Sequence, residues 1–307
     1  MKKILIILLV LHTFLLVFSG CGSTDVTGGG DEPFARIVDQ MGRELLVPKV
    51  PERIISISPA NTEIAFALGL GDRLVGVTDY CSYPTQAQDK TSVGGYSDPN
   101  LEKIVALEPD LILAGSFHKE EVLKLDEMGI PVLVLDPQSL EEIYESFELV
   151  AIATGAEAEF KRLAADMKGR IDAVEERLAS LEEDKKVRVY FEVYSDPLMS
   201  AGNKAEINEI ISLAGGINIF ADIDGTYPVV SAEAVVKRDP QVILFPDYHG
   251  TEEFNAELLQ ERPGWGEIDA VKNGRVHAVE NDVFSRPGPR FVEAVEAAAK
   301  LFYPDLF

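Results

Sequence analysis

From Ala156 to about Asp184 apolar residues recur in steps of three and four: Phe160, Leu163, Met167, Ile171, Val174, Leu178 and Leu181. That spacing predicts one amphipathic helix with a single buried stripe. At ~1.5 Å per residue it is about 40 Å long. A rod of that length either lies along its own protein or joins a coiled coil, and the run is short for the second.

The chain on both sides of the rod has a different rhythm. "ARIVDQMGRELLV" reads as a hairpin with its turn near Met41 and Gly42, and a buried strand follows at Ile54 to Ile57. Strand and helix then alternate. "LVGVT", "DLILAG" and "PVLVLD" are strands, while "NLEKIVAL", "KEEVLKLDEMG" and "SLEEIYESFELVAIATG" are helices. After the rod come strands "VRVYFEV", "QVILFPD" and "VHAV", with helices "KAEINEIISLAGG", "SAEAVVKR" and "RFVEAVEAAAKLF". The alternation predicts an α/β chain with two Rossmann-like lobes, each built on a central parallel sheet, joined by a single long helix. The expected boundaries are residues 1–20 as a leader, 21–34 as a tether, 35–155 as the first lobe, 156–185 as the helix and 186–307 as the second lobe.

The lobes echo each other. "NLEKIVALEPDLIL" (100–113) aligns without gaps on "SAEAVVKRDPQVIL" (231–244). Glu102 matches Glu233, Val105 matches Val236, Pro109 matches Pro240, and Ile112–Leu113 match Ile243–Leu244. Two similar lobes imply a ligand held between them.

Composition narrows the function. A net charge of -24 opposes nucleic acid and basic membrane-surface roles, because phosphates need a basic counterpart. Lys2 and Lys3 precede an apolar run, Ile4 to Phe18, too short to span a bilayer comfortably. Ser19, Gly20 and Cys21 follow, and the junction resembles a bacterial lipobox, with phenylalanine where leucine is usual. That resemblance makes Cys21 the lipidated first residue of the mature chain and "GSTDVTGGGDEP" its flexible tether. Cys81 is then left without a disulfide partner.

"SPANTEIAFALGLG", Ser58 to Gly71, crowds polar residues ahead of an apolar helix. Pro59 suits a first helical position, Ser58 or Asn61 is the expected cap, and Glu63 is expected in the first turn, facing the helix dipole. No His or Cys adjoins them, so a nucleophile–base pair is not expected. The loop lies at a strand's carboxyl end, where α/β sheets bind ligands.

Beginning here, "RIISISPANTEIAFALGLGDRLVGVTDYCSYPTQA" resembles the substrate-binding proteins of iron–siderophore and cobalamin ABC importers, the helical-backbone class. "NLEKIVALEPDLILAG", "GGINIF", "VSAEAVVKRDP" and "SRPGPR" extend the likeness from about Ala35 to the C-terminus. "SPANTEIAFA" and "YPTQAQ" bring it nearest the cobalamin-binding members. The resemblance implies an extracytoplasmic, lipid-anchored, monomeric protein that captures cobalamin or, alternatively, a ferric siderophore or haem. It implies delivery to a permease and its ATPase, with no catalysis and no resident cofactor. It further implies that Glu102 and Glu233 dock on permease arginines, one per lobe. Beside it, the residue reading puts Tyr80, Tyr83, Tyr96, Tyr227, Asp282, Phe284 and Arg286 at the ligand, since aromatics offer broad apolar contact with a polar edge. Trp265 is expected in the core.

Two other classes find less support in the residues. A metal or haem receptor needs converging ligands, and His118, His249 and His277 show no paired spacing. An enzyme needs a nucleophile–base pair or a phosphate loop, and "TGGGD" has no strand before it.

Overall fold

A computed structural model describes residues 32–247 and 256–307, with the backbone alone described for 256–258. The leader, Cys21, most of the tether and His249 lie outside the described residues. Residues Pro33–Phe307 form one compact unit.

The hairpin forms as expected, with strands β1 (Ala35–Val38) and β2 (Glu44–Val47) antiparallel. Gly42 turns it at φ +74°, a conformation that favours glycine. The first lobe's sheet is built from β3 (Ile54–Ser56), β4 (Leu74–Val77), β5 (Thr91–Ser92), β6 (Leu111–Gly115) and β7 (Val132–Leu135). They run parallel in the order β5-β4-β3-β6-β7. Helices α1 (Pro59–Ala67), α2 (Leu101–Ala106), α3 (Lys119–Glu127) and α4 (Leu140–Thr154) complete the lobe. The unbroken apolar runs of β6 and β7 are buried almost throughout, as a parallel sheet covered on both faces requires.

Helix α5 (Glu157–Leu178) follows. Its 22 residues make it about 33 Å long, shorter than the sequence period implied. Leu181 falls beyond it, in the link to the next strand. Met167, Ile171 and Val174 are its buried stripe, flanked by half-buried Phe160, Leu163 and Leu178.

The second lobe holds β8 (Arg188–Ser195), β9 (Leu198–Ser200), α6 (Glu206–Leu213), β10 (Ile217–Asn218), α7 (Ala232–Arg238), β11 (Val242–Asp247), α8 (Ala256–Glu261), α9 (Asp269–Lys272), β12 (Val276–Glu280), α10 (Asn281–Ser285) and α11 (Phe291–Phe302). Its sheet runs β10-β8-β11-β12, all parallel, with the short β9 antiparallel on β8. Trp265 is fully buried against Tyr190, as expected.

One apolar core crosses both lobes. It runs from Leu113, Phe147 and Val150 through Met167, Ile171 and Val174 of α5 to Ile210, Val295 and Phe302. The rod's one buried stripe therefore packs against both lobes, and a core shared this way resists hinge bending.

The internal repeat is geometric as well as sequential. Asn100 caps α2 by accepting the Lys103 N–H (3.0 Å), and Ser231 caps α7 by accepting the Ala234 N–H (3.2 Å). Glu108 and Asp239, matched in the alignment, are the two described non-glycine residues at positive φ, +47° and +45°. Arg53 Nε then donates to the Glu108 carbonyl (3.2 Å) and Arg188 Nε to the Asp239 carbonyl (3.2 Å).

Candidate functional site

The carboxyl ends of the first lobe's strands open onto a cleft of about 700 Å³. From the first lobe it is lined by Ser58–Asn61 at the start of α1, Tyr80, Tyr96–Asp98, Gly115–Phe117 and Leu135–Gln138. From the second lobe it takes Asn281, Asp282, Ser285, Arg286 and Pro287, all on or just after α10. The rule that α/β folds bind at strand carboxyl ends accounts for its place.

Its aromatic wall has a defined build. Tyr96 stacks on Phe117 with centroids 5.5 Å apart and planes 17° off parallel. His118 meets both rings edge-on, at 5.0 and 5.7 Å. The buried imidazole is fixed by its own hydrogen bonds. Gly115 N–H donates to Nδ1 (3.2 Å), which leaves Nε2–H to donate to the Tyr96 carbonyl (2.7 Å). His118 thus pins the Tyr96 loop to the end of β6 and does not itself line the cleft. Burial, reinforced by the Asp136 charge, pushes the Tyr96 phenol up, so it stays a neutral hydrogen-bonding group at physiological pH.

The polar start of α1 does not act as a conventional cap. Ser58 occupies the cap position but makes no side-chain capping bond. Asn61 donates to the Ala114 carbonyl instead (2.9 Å), stitching α1 to β6. The Thr62 hydroxyl lies 2.8 Å from the Ser56 hydroxyl and 3.1 Å from the Cys81 thiol, which is buried and free. Glu63 is not in the first turn and does not serve the helix dipole. It accepts from Arg290 at two oxygens (2.8 and 2.7 Å) and from Arg286 (3.2 Å), both in the other lobe.

The expected ligand residues separate into groups. Tyr80, Tyr96, Asp282 and Arg286 reach the cleft. Arg286 pairs with Asp282 (2.7 Å) as well as with Glu63. Tyr83 lies in a neighbouring hollow, beneath the Arg290 guanidinium at 4.2 Å. Phe284 is buried and stacks on Phe191, because the apolar face of α10 turns into the lobe. Tyr227 also turns inward and donates to Glu206 (2.6 Å), a pair that satisfies a buried carboxylate. Phe117 was missed by the sequence reading. It sits between a strand and a helix and is 62% exposed, and an aromatic at a strand's carboxyl end was the available signal.

Glu102 and Glu233 are both exposed, at the second position of α2 and α7. Hydrogen bonds from its own backbone amide and from Ser231 hold the Glu233 carboxyl below its ordinary range, so it is a firm anion.

Comparison with known proteins agrees with this architecture. The family profile described as periplasmic binding protein matches residues 54–283. The chain is 36% identical over 277 residues to the uncharacterized ABC transporter substrate-binding lipoprotein YvrC of Bacillus subtilis, covering 88% of this chain and 86% of that one. The crystal structure of the periplasmic vitamin B12 binding protein BtuF of Vibrio cholerae aligns with a TM-score of 0.71 at 33% identity, covering 83% and 98% of the two chains. A possible iron-binding, periplasmic solute-binding protein of Staphylococcus epidermidis aligns with a TM-score of 0.74 at 32% identity, covering 83% and 100%. With most of its length matched in sequence and in fold, the chain belongs to the periplasmic binding protein family.

Proposed function

We propose that the protein is the extracytoplasmic binding component of an ABC importer and captures a corrinoid in the inter-lobe cleft. The observation that carries this reading is the cleft's combination of size, aromatic wall and charge. Its volume is in the range of small-molecule sites, and the Tyr96–Phe117 stack offers a flat apolar face. Among the described lining residues Arg286 is the single basic side chain, against Asp98, Asp136 and Asp282. Both terminal nitrogens of Arg286 are engaged by Glu63, Asp282 and the Tyr80 carbonyl. Such a surface suits a ligand with neutral amide arms and a cationic centre. It opposes an anionic ferric catecholate or the propionates of haem, whose charge would meet an excess of carboxylates.

Ferric siderophore or haem capture is the second reading, favoured by the likeness to the possible iron-binding protein. In either case Cys21 is the lipid anchor, Glu102 and Glu233 are the permease-docking knobs, the partners are a permease with its ATPase, the chain acts as a monomer, and no chemistry is done on the ligand. Incubation with hydroxocobalamin followed by desalting should leave corrin absorbance with the protein. Colourless protein that retains a ferric siderophore would reverse the ranking.

A further inference from the structure

The two lobes face each other across two hollows. One is the cleft, and the other, of about 650 Å³, is walled by α5 together with Phe66, Tyr83 and Arg290. Between them stands one cluster of charges. Glu63 and Arg290 are 2% and 6% exposed at their side chains and meet in a two-point bond. Arg290 also reaches Glu280 (3.2 Å) and lies over the Tyr83 ring. Burial pulls its guanidinium down, yet the bonds and charges of Glu63 and Glu280 more than offset this and hold it firmly protonated. Arg286 extends the cluster to the cleft wall, where it touches the Tyr80 carbonyl (3.3 Å), and Ser82 donates to Asp282 (3.3 Å). On the other flank Leu140 N–H donates to Glu209 (2.7 Å), and there the glutamate is only half-buried.

We propose that Glu63 is a positioning residue for ligand capture: through Arg290 it fixes the separation of the lobes, and through Arg286 it fixes the far wall of the cleft. The connection follows from geometry. One oxygen of Glu63 accepts from both arginines, so neither can move without loosening the other. A ligand acceptor placed at the Arg286 edge competes with Asp282 and the Tyr80 carbonyl, and so acts on the spacing of the lobes as well as on its own contact. Conversely, a partner that pries the lobes apart must break this cluster and withdraws Arg286 from the ligand. The coupling to ligand rests on the corrinoid reading, whereas the lobe-spacing part does not.

The test uses Glu63→Gln/Arg290→Gln, which removes both charges together and so avoids leaving one buried and unpaired. Spin labels at Glu127→Cys and Lys237→Cys, both exposed and in different lobes, report lobe separation by pulsed electron resonance. Cys21 is changed to Ser in that chain, and the buried Cys81 is left in place. The expected result is a longer and broader distance distribution without ligand, and hydroxocobalamin dissociation faster by on the order of tenfold. Single Glu63→Gln should give a smaller change in the same direction. A variant with a lowered melting temperature but an unchanged distance distribution would overturn the proposal. A widened distribution in a protein that never binds hydroxocobalamin would uphold the latch and remove the corrinoid reading instead.

Discussion

In the first lobe α2 starts at an asparagine cap, presents an exposed glutamate and is followed by a residue held at positive φ. In the second lobe α7 does the same from a serine cap. Even the arginine that binds the carbonyl of that residue recurs, as Arg53 on Glu108 and Arg188 on Asp239. The cleft walls share none of this. The first lobe brings loops from all five strands of its sheet, with Tyr96 and Phe117 stacked, while the described residues of the second bring only α10 and the turn after it. Where Tyr96 opens to the cleft, Tyr227 closes on Glu206 inside its own lobe. Under the function proposed above, the repeated parts are those a two-fold symmetric permease would read, and the divergent parts are those an asymmetric ligand would read.

The largest effect expected from this contrast is on the repeated glutamates. Glu102→Lys with Glu233→Lys should abolish uptake in cells while leaving ligand affinity and melting temperature near those of the parent. Equal loss of affinity would put these residues in the binding site and end the division.

Next comes the interior of the second lobe. Glu192 is fully buried and held by Arg262 at 2.6 and 2.7 Å. Burial keeps its carboxyl above the ordinary range even so, with Arg262 and Tyr190 pulling it part of the way back. Arg262→Ala leaves a buried charge without its partner and should cost about 3–5 kcal/mol in chemical denaturation.

Tyr96 and Tyr227 sharpen the comparison further. Tyr227→Phe should cost about 1–3 kcal/mol and leave affinity alone, since it strips a buried carboxylate of its donor. Burial already holds Glu206 above its ordinary range, and the Tyr227 bond offsets part of that. A carboxyl that binds its proton more tightly when folded loses the protein stability as pH rises out of the carboxylate range. The deficit of Tyr227→Phe should therefore grow from acid to neutral pH in parallel melts. Tyr96→Ala should do the reverse, weakening ligand affinity by on the order of tenfold at little cost in stability.

Much of this arrangement was legible in the sequence. Periodicity gave the alternating strands and helices, the connecting rod and the repeat, because those depend on local burial. What it missed depends on distant partners. Glu63 read as a dipole-facing residue because its true partner lies 227 residues away. Phe284 and Tyr227 read as ligand contacts because they flank strand ends and helix starts, yet packing against Phe191 and Glu206 turns both inward. Leu181 fits the helical period but lies past the point where α5 stops.

The smallest expected effect separates two residues of equal conformation. Glu108→Gly should stabilise by about 1 kcal/mol, since glycine adopts positive φ without strain. Asp239→Gly should gain less, by about 1 kcal/mol, because the Asp239 carboxylate also accepts the Asp269 N–H at the start of α9 (2.8 Å). Urea midpoints compare the two.

The most direct measurement is an anomalous difference map at the cobalt edge from crystals grown with hydroxocobalamin. A single cobalt peak between the Tyr96–Phe117 stack and α10 is the expected result. A peak elsewhere on the protein, or none from crystals grown at saturating ligand, would contradict an inter-lobe corrinoid site.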